Sequence, residues 1–212
     1  MTNTSSKAPR GRPRRSHSQL ENSRRRILDA ARSLFARDGY DGVSMRNIAR
    51  LAECSPAALY TVFASKREVL RVIWEEVFNT LAEQLERTAE QAPAPQRVLA
   101  LCEGMVDFWL AHPDDFRAIF LIEDRLQSAQ DHYFVDSSAA LTRLDVLRKA
   151  IAQAQAHGSI RSAAVDDVLN ILLCTVQGLA LNLITIPEYP WGDARALKHA
   201  TLSALVRGLA PQ

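Results

Sequence analysis

The chain has 212 residues, 47% of them apolar and 24% charged, enough to enclose a substantial core and too apolar for a disordered chain. Cys54, Cys102 and Cys174 are far apart with no CxxC pair, which excludes a disulfide scaffold and a cysteine zinc site. The net charge of +2 conceals a division: residues 1–72 carry 15 Lys/Arg against 6 Asp/Glu, and residues 73–212 carry 11 against 18. A basic segment of that kind faces a polyanion, and the acidic remainder does not.

In chain order, residues 1–20 hold Lys7, Arg10, Arg12, Arg14 and Arg15 with no acid, and are expected to form a disordered arm. Its centre, Arg10-Gly11-Arg12-Pro13-Arg14, resembles an AT-hook core, whose arginines lie in a narrow A·T-rich minor groove. A generic basic tail that attracts phosphate without sequence preference explains it equally well.

From residue 24 the chain reads as four short helices. Ile27, Ala31, Leu34 and Phe35 form one apolar stripe, and Asp38-Gly39 stops that helix. Ser44 caps a second helix holding Ile48, Ala49 and Ala52. Ser55 caps a third with Pro56 at its first position, where the missing N–H costs nothing. Ser65-Lys66-Arg67-Glu68 is a capping box that opens the fourth. Two short helices joined by a turn and braced on each side form a helix-turn-helix. The third helix begins with the small residues Ser55, Pro56, Ala57 and Ala58, so its backbone can approach a major groove while its N-terminus favours phosphate. Ser44, Arg46, Tyr60 and Thr61 are expected to anchor phosphates or base edges, and Arg24 and Arg25 to reach the backbone. Lys66 opposes the dipole of its own helix, which a nearby phosphate would explain.

The run Ser44-Met45-Arg46-Asn47-Ile48-Ala49, then Ala52, Ser55, Leu59-Tyr60, Phe63, Ser65-Lys66 and Leu70, resembles the DNA-binding half of the TetR/AcrR regulators. Two positions depart from that pattern. Glu53-Cys54 stands where the family has Gly-Val in the turn, at about 1 kcal/mol if Glu53 takes positive φ. Ala57 replaces a glycine of the recognition helix, which raises helix propensity.

The fourth helix is expected to continue to about Glu90, linking the basic and acidic parts, until Ala92-Pro93-Ala94-Pro95 breaks it. A helix from about Gln96 to Ala111 follows, ended by His112-Pro113, then a short helix within 113–126. Met105, Phe108, Trp109, Phe116 and Phe120, with Gln177 as a polar member, are the candidate ligand pocket, against the plainer reading of an aromatic core. His112-Pro113-Asp114-Asp115 is rejected as a metal site, because no second His follows at helical spacing and the aspartates suit a helix start. Residues 127–137 are ill-defined, and a helix resumes from about Ser137 to Ala156.

Val168–Pro187 carries no charge, so its length permits a membrane span. Asn170, Gln177 and Asn182 interrupt it and no basic cluster flanks it, which favours a helix buried by its own core and by a partner subunit. The last helix, about Asp193 to Leu209, offers Leu197, Thr201, Ala204, Leu205 and Gly208 as the partner face. Two helices from each of two chains make a four-helix interface, as the resemblance implies.

The expected fold is all-α, about nine helices: an arm over 1–20, a helix-turn-helix domain over 21–66, and an effector-binding and dimerising domain over 67–212. The expected function is a regulator that binds a palindromic operator on double-stranded DNA as a homodimer, and the resemblance implies a repressor released by a small, largely apolar effector. It is expected in the cytoplasm, with three reduced thiols, two of them buried, no secretory signal, no cofactor and no metal. The rival readings are a regulator tethered by residues 168–187, and an enzyme. No nucleophile–base–acid set or glycine-rich phosphate loop supports the latter.

Overall fold

A computed structural model describes residues 17–122, 142–143 and 145–211. Among these are nine α-helices and no strand: α1 His17–Gly42, α2 Met45–Leu51, α3 Pro56–Tyr60, α4 Lys66–Gln91, α5 Arg97–Ala111, α6 Pro113–Phe120, α7 Asp145–Ala156, α8 Val165–Thr185 and α9 Ala194–Gly208. Residues 1–16, with Arg10, Arg12 and Arg14, lie outside the described residues, whereas residues 17–20 of the expected arm are the first turn of α1. The expected stretch 127–137 and residues 137–141 of the helix expected after it lie outside as well.

Local chemistry sets the boundaries. Gly39, at φ 69° and ψ 175°, breaks the helical geometry of α1 where the sequence stops it, although helical turns resume to Gly42. Ser44, Ser55 and Ser65 each accept an N–H three residues on, at 3.2, 3.1 and 3.1 Å. The expected capping box is shifted by one residue: the Glu68 carboxylate accepts from Ala64 N at 2.6 Å, and not from the cap residue itself. Glu53 takes φ 52°, the strained turn position foreseen for a non-glycine residue. The Pro93–Gln96 stretch contains one 3-10 turn and ends α4 as its prolines require.

Ile27, Ala31, Leu34 and Phe35 of α1 share with Ile48, Ala49, Leu59 and Phe63 one apolar cluster that runs on into the body. In the body, α5 is the central helix, packed by α4, α6, α7, α8 and α9. Its residues Val98, Leu101, Cys102, Met105, Val106, Phe108 and Trp109 are all buried. Fully burying side chains of this size contributes about 1.5–3 kcal/mol each. The N-terminal unit meets this body through α4, which belongs to both, and through α6, which packs along α1.

The thiols depart from expectation. Cys102 alone is buried; Cys54 is half-buried and Cys174 exposed. Burial pushes the Cys102 thiol up to about 12, with Glu103 adding to the effect.

Candidate nucleic-acid interface

The tip of α3 presents small side chains at the surface. Ser55, Pro56 and Ala57 are exposed, Ala58 half-buried, and Leu59 fully buried beneath them as the anchor. Tyr60 stands out at 54% exposure. Ser44 and Arg46, at the start of α2, are exposed as well. Because Ser44 Oγ and Ser55 Oγ accept from backbone N–H groups, each keeps its own proton to donate to a phosphate oxygen. This face thus offers two hydroxyls, a phenol, a guanidinium and a helix N-terminus within one motif.

Thr61 and Lys66 are placed differently from expectation. The Thr61 hydroxyl is exposed, but its proton goes to Ala58 O at 2.6 Å. Its oxygen is left as an acceptor, which suits a base amino group and not a phosphate. Lys66 Nζ donates to Tyr40 O at 2.5 Å and to Val43 O at 2.8 Å, and lies 4.0 Å from the centre of the Tyr40 ring. Burial lowers its pKa, opposed by Asp41. The carbonyls at the end of α1 therefore account for this cation without a phosphate, and only one of its three protons remains for DNA. The sequence argument from the helix dipole overlooked these acceptors because they lie 26 and 23 residues upstream.

Arg24 sits 5.2 Å above the Phe63 ring, at the corner between α3 and α4, and Arg25 is exposed beside it. Deeper on the same helix, Arg32 forms a junction that the sequence reading missed. It pairs with Asp29 at 3.3 Å, Glu76 of α4 at 2.9 Å and Asp115 of α6 at 3.0 Å, and so ties α1 to both helices of the body that touch it. Only Asp29, one turn away, was a visible partner in the sequence. His112, rejected as a metal ligand, stands 3.7 Å from Asp115.

Of the candidate pocket residues, Met105, Phe108, Trp109 and Phe116 are buried and Phe120 is half-buried. They pack on one another: the Trp109 ring lies 5.0 Å from Phe108, 5.7 Å from Phe116 and 5.1 Å from Phe120, mostly edge to face. Gln177 does not join them. It is exposed on α8, because the inward positions of that helix are Val168, Leu169, Leu172, Val176, Ala180 and Ile184. The outward side of α8 carries Ile171 and Leu181, each 39% exposed, with Cys174 between them. On α9, Leu197, Thr201 and Leu205 are half-buried and Ala204 and Gly208 exposed, while Leu202 and Lys198 point inward. The buried Lys198 ammonium is held by both Asp107 oxygens at 2.6 Å.

Residues 27–73 match the family model described as bacterial regulatory proteins, tetR family. The HTH-type transcriptional regulator YhgD of Bacillus subtilis is 33% identical over 69 residues, 32% of this chain and 34% of that protein. The chain thus spans about a third of that relative's length. The HTH-type nicotine-responsive transcriptional repressor HdnoR of Paenarthrobacter nicotinovorans is 24% identical over 172 residues, 79% of this chain and 86% of that protein. A solved protein from Rhodococcus sp. RHA1 is 28% identical, with a TM-score of 0.72, covering 89% of this chain and 96% of its own.

Proposed function

Because the chain belongs to the TetR family of bacterial transcriptional regulators, we propose that it is a repressor that grips a palindromic operator as a homodimer and lets go when a small molecule binds its body. The exposed, serine-capped tip of α3, anchored by the buried Leu59 within the matched segment, carries this reading. Ser44, Arg46, Ser55 and Tyr60 hold phosphates or base edges. Pro56, Ala57 and Ala58 keep the helix end thin, and Thr61 accepts from a base. Arg24 and Arg25 approach the backbone, Lys66 contributes its one remaining proton, and the arm with Arg10, Arg12 and Arg14 follows the adjacent minor groove.

Two-fold symmetry sets two α3 helices about 34–36 Å apart, in successive major grooves. The outward stripe of α8 and the Leu197, Thr201, Ala204, Leu205 and Gly208 face of α9 form the subunit contact. This explains why α8, long and apolar enough to cross a bilayer, has one side in its own core and the other bare. The DNA-binding unit spans 21–66 and the effector and dimer unit 67–212, with the protein acting in the cytoplasm and without catalysis. Nicotine responsiveness in HdnoR supports an effector-controlled device. Met105, Phe108, Trp109, Phe116 and Phe120 form the wall of the effector site. An effector acts only through unequal affinity for two arrangements, so operator must weaken effector binding by the same factor.

Selection of bound fragments from random duplexes by the full chain tests this. Recovered sequences should share an inverted repeat. A pool with no common element contradicts the proposal.

A further inference from the structure

A cleft of about 640 Å³ opens at the seam between α1 and the body. Its two ends carry opposite charge. At the outer end Arg24 and Arg25 stand beside a single acid, Glu21, and among the described residues neither arginine forms an ion pair. At the inner end three carboxylates, those of Asp29, Glu76 and Asp115, share the guanidinium of Arg32, with the His112 imidazole 3.7 Å from Asp115. There Arg32 Nε and Asp115 Oδ1 are shielded from solvent and, although 3.0 Å apart, make no aligned hydrogen bond. Arg25 and Arg32 stand seven positions apart on α1, about 10 Å at 1.5 Å per residue. Leu28 lies between them on α1, and Val77 faces it from α4.

A simple anion would meet repulsion at the inner end, and a simple cation at the outer. A molecule carrying both charges meets neither. We propose that this cleft is an effector site for an amphoteric small molecule, its carboxylate held by Arg24 and Arg25, its chain on Leu28 and Val77, and its ammonium among Asp29, Glu76 and Asp115. The ammonium competes with Arg32 for the carboxylates that tie α1 to α4 and α6, so occupancy loosens the seam beneath the α3 tip. The binding stands on the cleft's own geometry, and only this consequence rests on the DNA-binding reading.

Calorimetric titration of the full chain with 8-aminooctanoate, octanoate and octylamine tests it, the first having its charges about 10 Å apart when extended. Saturable binding of one 8-aminooctanoate per chain, at least about tenfold tighter than either single-charge probe, is expected. Glu76→Gln and Arg25→Gln should each weaken it by about tenfold, and Thr80→Trp, which puts a ring at an exposed position of the cleft lining, should abolish it. Equal binding of the three probes, no saturable heat up to about 10 mM, or indifference to both charge substitutions overturns the inference. Operator affinity measured on the same samples separates the two readings. Normal operator binding without probe binding sinks this inference alone, and probe binding without DNA binding sinks the regulator reading alone.

Discussion

Arg46 and Lys66, two cations of one motif, stand in different surroundings: the first is exposed and the second is bonded to carbonyls of its own fold. Arg46 is exposed and forms no ion pair among the described residues, so with the proposed phosphate contact Arg46→Gln should weaken binding to every duplex and reduce the salt slope by about one. An unchanged slope in anisotropy titrations would remove it from the interface. Lys66 has a structural duty first. Lys66→Met removes a donor from the Val43 carbonyl and leaves Tyr40 O only the Val43 N–H at 3.3 Å, and should cost about 1–3 kcal/mol in urea unfolding. Wild-type stability in that variant would show the two bonds to be dispensable. Glu53→Gly should gain about 1 kcal/mol, because glycine accepts φ 52° without strain. At this scale the sequence was legible wherever the chemistry is local: three serine caps, a glycine stop and a strained turn residue. It failed where the partner is distant, as with the carbonyls that hold Lys66, and where a hydroxyl's single proton turns inward, as in Thr61.

Among the elements, the helix boundaries were largely legible because prolines and caps mark them, and the outward side of α8 was not. Periodicity told that Val168–Pro187 is apolar nearly all round, yet it could not tell Gln177 and Cys174 outward from Val176 inward. That arrangement gives a test of the proposed subunit contact. Cys102, pushed up to about 12 by burial, should resist alkylation at neutral pH until the protein unfolds. Cys174 should react in dilute protein and become protected as concentration rises and α8 is covered. Labelling of Cys174 that ignores protein concentration would contradict the contact, as would a dimer that survives Leu181→Arg in light scattering.

The seam formed by α1, α4 and α6 carries its own pH signature. Burial raises the Asp115 carboxyl, outweighing the attraction of Arg32 and then His112, so the folded state holds that proton more tightly than the unfolded chain does. Its contribution therefore favours folding below about pH 4 and is lost as pH rises through the folded-state value. Relative to wild type, Asp115→Asn should gain stability as pH climbs from about 4 to 7. A gap that stays constant with pH would place the ionisation elsewhere.

On the scale of the whole molecule, the charge division along the chain maps onto two units joined by α4 and by the Arg32 junction. Composition revealed the division and motif spacing revealed the reading head. The junction itself stayed hidden, because Glu76 and Asp115 lie 44 and 83 residues from Arg32 and only the fold brings them together. Among the described residues, α4 and the packing of α1 on α6, tied by Arg32, are the main routes by which the body can bear on the N-terminal unit.

The central claim is that two copies of the α3 tip, held at fixed separation, read one duplex. Anisotropy of full-length protein on a selected inverted repeat, against the same duplex with one half scrambled and with bulk competitor present, measures it directly. The intact repeat should bind at least about 10³-fold more tightly than competitor DNA, and scrambling one half should forfeit most of that advantage. Equal affinity for the intact and half-scrambled duplexes would contradict it.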